Sequence, residues 1–228
     1  MTRSSVNLDP EHIFAAKRRG FVADFFIRLF REKYLGAAGG IIFLILLLTG
    51  IFADTLSPYG YNDINPLDTL KPPSSKYLLG TDNLGRDMLS RIIYGARLSV
   101  IVSFAATALS IVISTVIGIT SGFIGGKYDM VVQRFVDGWM CFPGLVVLIV
   151  AVSVIGPGMW QIIFVLALQF GIAGSRIIRG ATMSTKENMY VRAADAIGGS
   201  TLRLLLRHIL PNIMAPIIIL FTTRIAAV

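Results

Sequence analysis

Residues Tyr190–Pro216 read YVRAADAIGGSTLRLLLRHILPNIMAP, a basic and partly polar passage held between two strongly apolar segments. Ser184 and Glu187 carry the S-x-x-E spacing of a capping box, which predicts a helix that starts near Thr185 and runs through Met189, Ala193, Ala194 and Ile197. Gly198 and Gly199 end it, because glycine enters the left-handed conformation that closes a helix without a Cβ penalty. Ser200 or Thr201 then caps a second helix. In that helix Leu202, Leu205, Leu206 and Ile209 fall at i, i+3, i+4 and i+7, with Arg203 and Arg207 on another face and Pro211 as the stop.

A short basic hairpin between apolar segments suits two roles. It can pass force to a partner outside the membrane, or it can lie as an amphipathic loop on anionic lipid. Pattern alone leaves both open.

Working outward, the chain is 54% hydrophobic and 15% charged, with a mean hydropathy of +0.72, too apolar for an ordinary soluble domain of 228 residues. The membrane is its solvent, and the expected fold class is an all-α integral membrane protein. Leu35–Leu56 carries no charge until Asp54, and its 22 positions reach about 33 Å, enough to cross a hydrocarbon core of roughly 30 Å. This first span lies too deep in the chain and runs too long for a secretory signal. Leu98–Ile124 is a second span, Met140–Ile155 a shorter third and Trp160–Ile178 a fourth, while a fifth begins at Asn212. Before the first span, Phe21, Val22, Phe25, Phe26 and Leu29 beside Arg28, Arg31 and Lys33 predict an interfacial amphipathic helix within a 1–34 arm.

Lysine and arginine set the orientation. Fifteen lie in the arm, the loop around 125–139 and the stretch 176–211, against five in the 57–97 loop and the short 156–158 turn. By the positive-inside rule the N-terminus and the hairpin are cytosolic. The net charge of +8 is parcelled out at span ends without a basic stripe or interleaved aromatics, so it points to anionic lipid and away from nucleic acid. The lone Cys141 permits no internal disulfide and is read as a packing residue.

Weaker signals fill in the rest. Pro58, Pro66, Pro72 and Pro73 punctuate an external loop over 57–97, and Thr81 or Asp82 is expected to cap a short helix there, with Arg86 and Asp87 exposed. Asp82 and Asp87 lack the ligand spacing of a metal cage. The stretch 122–127, GFIGGK, lacks the first glycine and the Ser/Thr of a phosphate-binding loop and reads as a membrane-exit turn. Ser110, Ser114, Gly118 and Gly122 repeat every four residues, the spacing that lets helices approach closely in lipid. Gln169, near the middle of the fourth span, needs a protein or water partner, so it is either an interhelical hydrogen bonder or a candidate pathway residue.

Two motifs carry a family resemblance. The hairpin resembles the Glu-Ala-Ala loop of ABC importer permeases, with Ala193, Ala194, Gly198, Leu210 and Pro211 at matching positions. Arg192 stands where that loop has glutamate and His208 where many members have isoleucine, both similar to the peptide and nickel branch. Leu79–Arg97, LGTDNLGRDMLSRIIYGAR, resembles the L-G-T-D-x-x-G-R-D signature of the second permease subunit of peptide transporters, through Gly80, Thr81, Asp82, Gly85, Arg86 and Asp87.

The resemblance implies a type I ABC importer transmembrane domain, with a core permease domain over 98–228 and a cytosolic coupling loop over 181–211. Five spans are visible, and the family pattern leads one to expect a sixth that is absent from this chain. It also implies ATPase coupling through Arg192, Ala193, Ala194, Asp195, Gly198, Leu202, Leu205, Leu206, Leu210 and Pro211. The partners implied are a second permease in a heterodimer, two cytosolic ATP-binding subunits or domains, an extracytoplasmic solute-binding protein and the lipid of a bacterial inner membrane. The chain would be no enzyme and hold no cofactor, ATP and magnesium belonging to the partner subunits. Di- or oligopeptides are the expected cargo, with nickel complexes and glutathione carried by similar permeases. The competing readings are an ATP-independent secondary transporter or channel, for which ion-coupling carboxylates or histidines inside the spans would be expected, and a nontransporting scaffold. Asp54 and Asp137, both near interfaces, are the only approach to such groups.

The charge count predicts that single cysteines at Lys186 and Arg203, in a Cys141→Ala background, are shielded from an impermeant thiol reagent applied to intact cells. A cysteine at Lys76 is labelled under the same conditions. Labelling of position 203 from outside would overturn the orientation.

Overall fold

The computed structural model describes residue 31 and residues 33–227, so the interfacial helix expected over 21–29 lies outside the described residues. Within them the protein is helical: α1 Tyr34–Ile51, α2 Met88–Ile124, α3 Gly126–Met140, α4 Gly144–Ile155, α5 Met159–Lys186, α6 Met189–Ala196 and α7 Thr201–Ile225. Helices α1, α2, α5 and α7 are each long and apolar enough to cross a membrane, and α3 with α4 forms a further bent pair. Four of the five expected spans are found, with altered boundaries, and the expected third, Met140–Ile155, falls on the bent pair α3 and α4.

Those alterations have local causes. The short helix expected in the external loop is the first part of α2, which at 37 residues spans about 55 Å and outreaches the hydrocarbon core. The expected cytosolic loop over 125–139 is the helix α3. Gly125 and Gly126, with φ of 68° and 58°, make the turn between α2 and α3. Helix α3 then meets α4 at an 84° elbow, where Pro143 offers no N–H and disfavours helical geometry at Phe142. Cys141 sits exposed at that elbow, not packed as expected.

The core is the pair α2 and α5, the most extensive helix contact in the molecule. Ser110, Ser114, Gly118 and Gly122 are all buried along one seam, as their spacing predicts. A Cβ on Gly118 would lie 2.7 Å from both Ile178 Cβ and Ser175 O, and one on Gly171 would lie 2.8 Å from Ile113 Cβ. Backbones this close let Ser114 Oγ donate to Gly171 O at 2.8 Å. Hydrophobic driving force is absent between helices in lipid, so close packing and such hydrogen bonds hold the pair.

The other helices hang on this pair. Arg97 of α2 donates through Nε to Gly50 O at 3.0 Å and pairs with Asp54 at 2.8 Å, fixing the end of α1. Phe43 and Phe104, with centroids 6.1 Å apart, meet lower on the same contact. From α3, Asp129 accepts Arg179 Nε at 2.6 Å and Ser121 Oγ at 2.5 Å, while Gln133 Nε2 donates to Ser121 Oγ at 3.1 Å. Two turns on, Asp137 pairs with Arg176. Asp129, Gln133 and Asp137 lie at i, i+4 and i+8, one face of α3 turned to the arginines of α5.

Replacing Gly118 with Leu is expected to overpack the seam and cost about 1–3 kcal/mol. Gly95→Leu on the same helix is the control, since nothing lies within 4 Å of its Cβ position. Thermal unfolding in detergent followed by circular dichroism should show a lowered midpoint for position 118 alone.

Candidate functional site

The passage that opened the reading folds as a hairpin rooted in the spans. Helix α5 continues through Ser184 to Lys186, so the expected helix start near Thr185 is incorrect; Asn188 sits at the N-cap of α6, and no side-chain cap forms. The S-x-x-E pattern failed because the spanning helix had no reason to break before its apolar face ran out. Helix α6 closes as expected at Gly198, with φ of 84°. Gly198 N donates to Asp195 O at 2.9 Å and Gly199 N to Ala194 O at 3.0 Å, the paired bonds of a Schellman close. Gly199 is also held by space, since a Cβ there would lie 2.6 Å from Ala194 O.

The second helix departs from expectation in a way that changes its faces. It begins after Ser200, but Leu204–Ile209 is π-helical, with Leu210 N–H donating to Leu205 O, five residues back. A π turn aligns residues five apart, so Leu204 and Ile209 are buried together. Leu202 and Leu206, placed on the buried stripe by ordinary helical spacing, are instead 66% and 57% exposed. Leu205 is half-buried. Pro211 does not stop the helix: the π turn passes into a tight 3-10 turn over Leu210–Ile213, Asn212 Nδ2 donates to His208 O at 2.6 Å, and α7 carries on into the membrane. Local winding changes of this kind are how membrane helices absorb proline.

The root of the hairpin is apolar and closed. Val191 from α6 and Ile209, Ile213, Ile217 and Leu220 from α7 pack with Ile119 and Ile178 in one core. Lys186 Nζ donates to Phe123 O at 2.6 Å, tying the end of α5 to the end of α2. The tip is open. Met189 and Ile197 are 86% and 88% exposed, Ala193, Asp195 and Gly198 face outward, and Arg192 forms an exposed ion pair with Glu187. Of the expected coupling residues, Pro211 is exposed and Ala194 and Leu210 are half-buried.

The second motif is a clasp. Asp87, expected to be exposed, is buried and is itself the N-cap of α2, accepting Ser90 N and Ser90 Oγ at 2.7 Å each. Neither Thr81 nor Asp82 caps the helix. Thr81 Oγ1 donates to Asp68 O at 2.5 Å, and Asp82 accepts Leu84 N, Arg86 N, Arg86 Nε and Arg91 Nη1 at 2.5–3.0 Å. Gly80 and Gly85 have positive φ, and a Cβ on Gly85 would lie 1.8 Å from Asn65 O, so the loop strand Asn65–Lys71 crosses directly over the motif. Arg86 is half-buried against Asp82. The motif therefore points inward to hold the loop, leaving Asn83 and Leu84 as its outer surface.

Sequence reasoning missed the hub of that clasp. Asp68 is buried and gathers Asn65 Nδ2 at 2.7 Å, Lys76 Nζ at 2.8 Å, Tyr77 Oη at 2.7 Å and Lys71. The hydrogen bonds from Lys71 and Lys76 hold its carboxyl well below the usual carboxylate range, and Asp68 in turn pushes Lys76 up. Burial pushes Asp82 upward, but the Arg86 and Leu84 amides and the two guanidiniums outweigh it and leave its pKa lowered. Nothing in an irregular loop announces such a hub. Asp129, Gln133 and Asp137, by contrast, form an i, i+4, i+8 row once 126–140 is treated as helix.

Gln169 sits at the elbow, where its amide packs against Gly144 so closely that a Cβ there would lie 2.0 Å from Nε2. It lines a cavity of about 180 Å³ with Trp139, Phe142, Phe170 and Arg224.

Two family models match the chain. Residues 114–228 match the family model described as binding-protein-dependent transport system inner membrane component, and residues 21–73 match the N-terminal TM domain of oligopeptide transport permease C. The oligopeptide transport system permease protein OppC of Bacillus subtilis is 37% identical over 196 residues, 86% of this chain and 64% of the relative. The dipeptide transport system permease protein DppC of Haemophilus influenzae is 37% identical over 198 residues, 84% of this chain and 67% of the relative. The glutathione transport system permease protein GsiD of Pectobacterium atrosepticum is 32% identical over 201 residues, 88% of this chain and 67% of the relative. The chain thus spans about two-thirds of the length of the curated relatives it matches.

Because the Asp68 carboxyl is held low in the folded state, its stabilisation is complete above the ordinary carboxylate pKa of about 4 and is lost as pH falls below it. Asp68→Asn should lower the unfolding midpoint at pH 7. The gap between variant and native protein should narrow on acidification below about pH 4, measured by circular dichroism melts. A gap independent of pH would count against the ionic clasp.

Proposed function

The chain belongs to the family of binding-protein-dependent transport system inner membrane components, and from that membership we propose that it is one permease of an ATP-driven importer for di- or oligopeptides. As a multi-pass inner-membrane permease it is no catalyst. In this reading it forms half of the translocation path beside a second permease, with its N-terminus and hairpin in the cytosol. Two cytosolic ATP-binding subunits hydrolyse ATP, and an extracytoplasmic solute-binding protein delivers the peptide. The relatives named for oligopeptide and dipeptide transport support that cargo.

The observation that carries the reading is the contrast between the root of the hairpin and its tip. Val191, Leu204 and Ile209 are 0–2% exposed among the spans, whereas Met189, Ile197, Leu202 and Leu206 are 57–88% exposed around the turn. A lever needs both: a root that cannot slide and a free surface for a partner to grip. Closure of the ATP-binding subunits would push on the tip, and the packed root would pass that push to α5 and α7 as a rigid-body movement. The exposed Arg192–Glu187 pair takes little part in stability at such a site, so its residues are free to meet a partner.

Replacing Ile197 and Leu202 together with Asp should abolish copurification of the ATP-binding subunits and peptide-stimulated ATP hydrolysis while leaving membrane insertion intact. Leu204→Ala at the root should instead destabilise the permease by about 2–5 kcal/mol. Retained ATPase association in the double variant would count against the lever.

A further inference from the structure

Arg224 differs from Arg97, Arg176 and Arg179, the arginines of α2 and α5 that tie one helix to another. Arg97 pairs with Asp54, Arg176 with Asp137 and Arg179 with Asp129. Arg224, on the apolar helix α7, makes no ion pair among the described residues and instead lies over the Phe170 ring, with Cζ 4.9 Å from the centroid. It is half-buried and lines the elbow cavity with Gln169, Trp139, Phe142 and Phe170. Asp137, two residues before Trp139 in the chain, is already engaged by Arg176 and Arg134. A guanidinium on an apolar span with no carboxylate partner among the described residues is costly, and such residues mark substrate paths.

The geometry points to a carboxylate-binding subsite in this cavity, which we propose receives the C-terminal carboxylate of the transported peptide. The guanidinium fork takes both oxygens, and the Gln169 amide supplies further N–H donors. The cavity of about 180 Å³ far exceeds the roughly 10–15 Å³ that one water needs, so a peptide terminus can enter it. The aromatic walls, Trp139, Phe142 and Phe170, suit an apolar side chain on that residue. Three distant segments build the site: the α3–α4 elbow, α5 and α7. A relative movement of α5 and α7 would therefore open or close it. This assignment rests on the peptide-import reading, which it deepens by naming the group recognised.

Trp139 provides the signal, with Trp160→Phe removing the only other tryptophan. The assembled transporter, in vesicles of zwitterionic phosphatidylcholine without binding protein, is titrated with trialanine and with trialanine amide. Trialanine should shift Trp139 emission saturably, with the amide weaker by about tenfold or more. Arg224→Gln should erase that discrimination, and Arg224→Lys should keep part of it. Equal responses to acid and amide would overturn the subsite, as would discrimination that survives Arg224→Gln. Loss of the second permease from Arg224→Gln, with no acid-over-amide preference in the native transporter, would overturn it in favour of a partner carboxylate. ATP-driven uptake of labelled trialanine, with binding protein added, separates the two failures. Intact uptake without discrimination removes the subsite alone, and no peptide uptake by the native transporter removes the import reading.

Discussion

Close approach of α2 and α5 is the constraint on which the rest of the structure depends. In lipid the spans gain nothing from burying apolar side chains against one another, so association requires backbones near enough for dense van der Waals contact and interhelical hydrogen bonds. Gly118, Gly122 and Gly171 provide that approach, and Ser114 uses it to reach Gly171 O. Once the pair is set, Ile178 is sealed completely, Arg179 comes to Asp129, and the ends of α2 and α5 are level enough for Lys186 to reach Phe123 O. Each later feature of the hairpin end is built on that platform.

Ion pairs among the described residues differ in role. In the loop before α2, Asp68 and Asp82 gather several donors each and tie an otherwise irregular segment to the first turns of α2. On α3, Asp129 and Asp137 bind that helix to α5 and hold the elbow in place. The elbow then turns the peptide backbone away from its helix axis and opens space beside Gln169. Irregular backbone at membrane depth is tolerated where it borders a cavity, and this break borders one.

The hairpin joins a stable root to an exposed tip through a single π turn. The wider turn aligns Leu204 with Ile209 in the core and leaves Leu206 outside it. The same turn, with the 3-10 turn after it, lets α7 pass Pro211 without ending. Root and tip are thus parts of one helix that is also a span, which gives a push at the tip a direct route into the membrane.

Much of this was legible without coordinates. The five apolar segments, the small-residue seam over Ser110–Gly122 and the close at Gly198 follow from composition, spacing and the special freedom of glycine, because these depend on near neighbours in the chain, while both family motifs are recognised by resemblance. The gathering of Lys76 and Tyr77 on Asp68, the meeting of α3 carboxylates with α5 arginines and the union of Trp139, Gln169 and Arg224 around one cavity depend on residues 8 to 85 positions apart. The π turn belongs with them: local spacing favoured an ordinary helix over 201–209, and only the demand to bury Leu204 with Ile209 while threading Pro211 into the bilayer selects the wider turn. Pairing energies between distant groups leave no periodic trace in a sequence, so they become visible only when the packed helices bring those groups together.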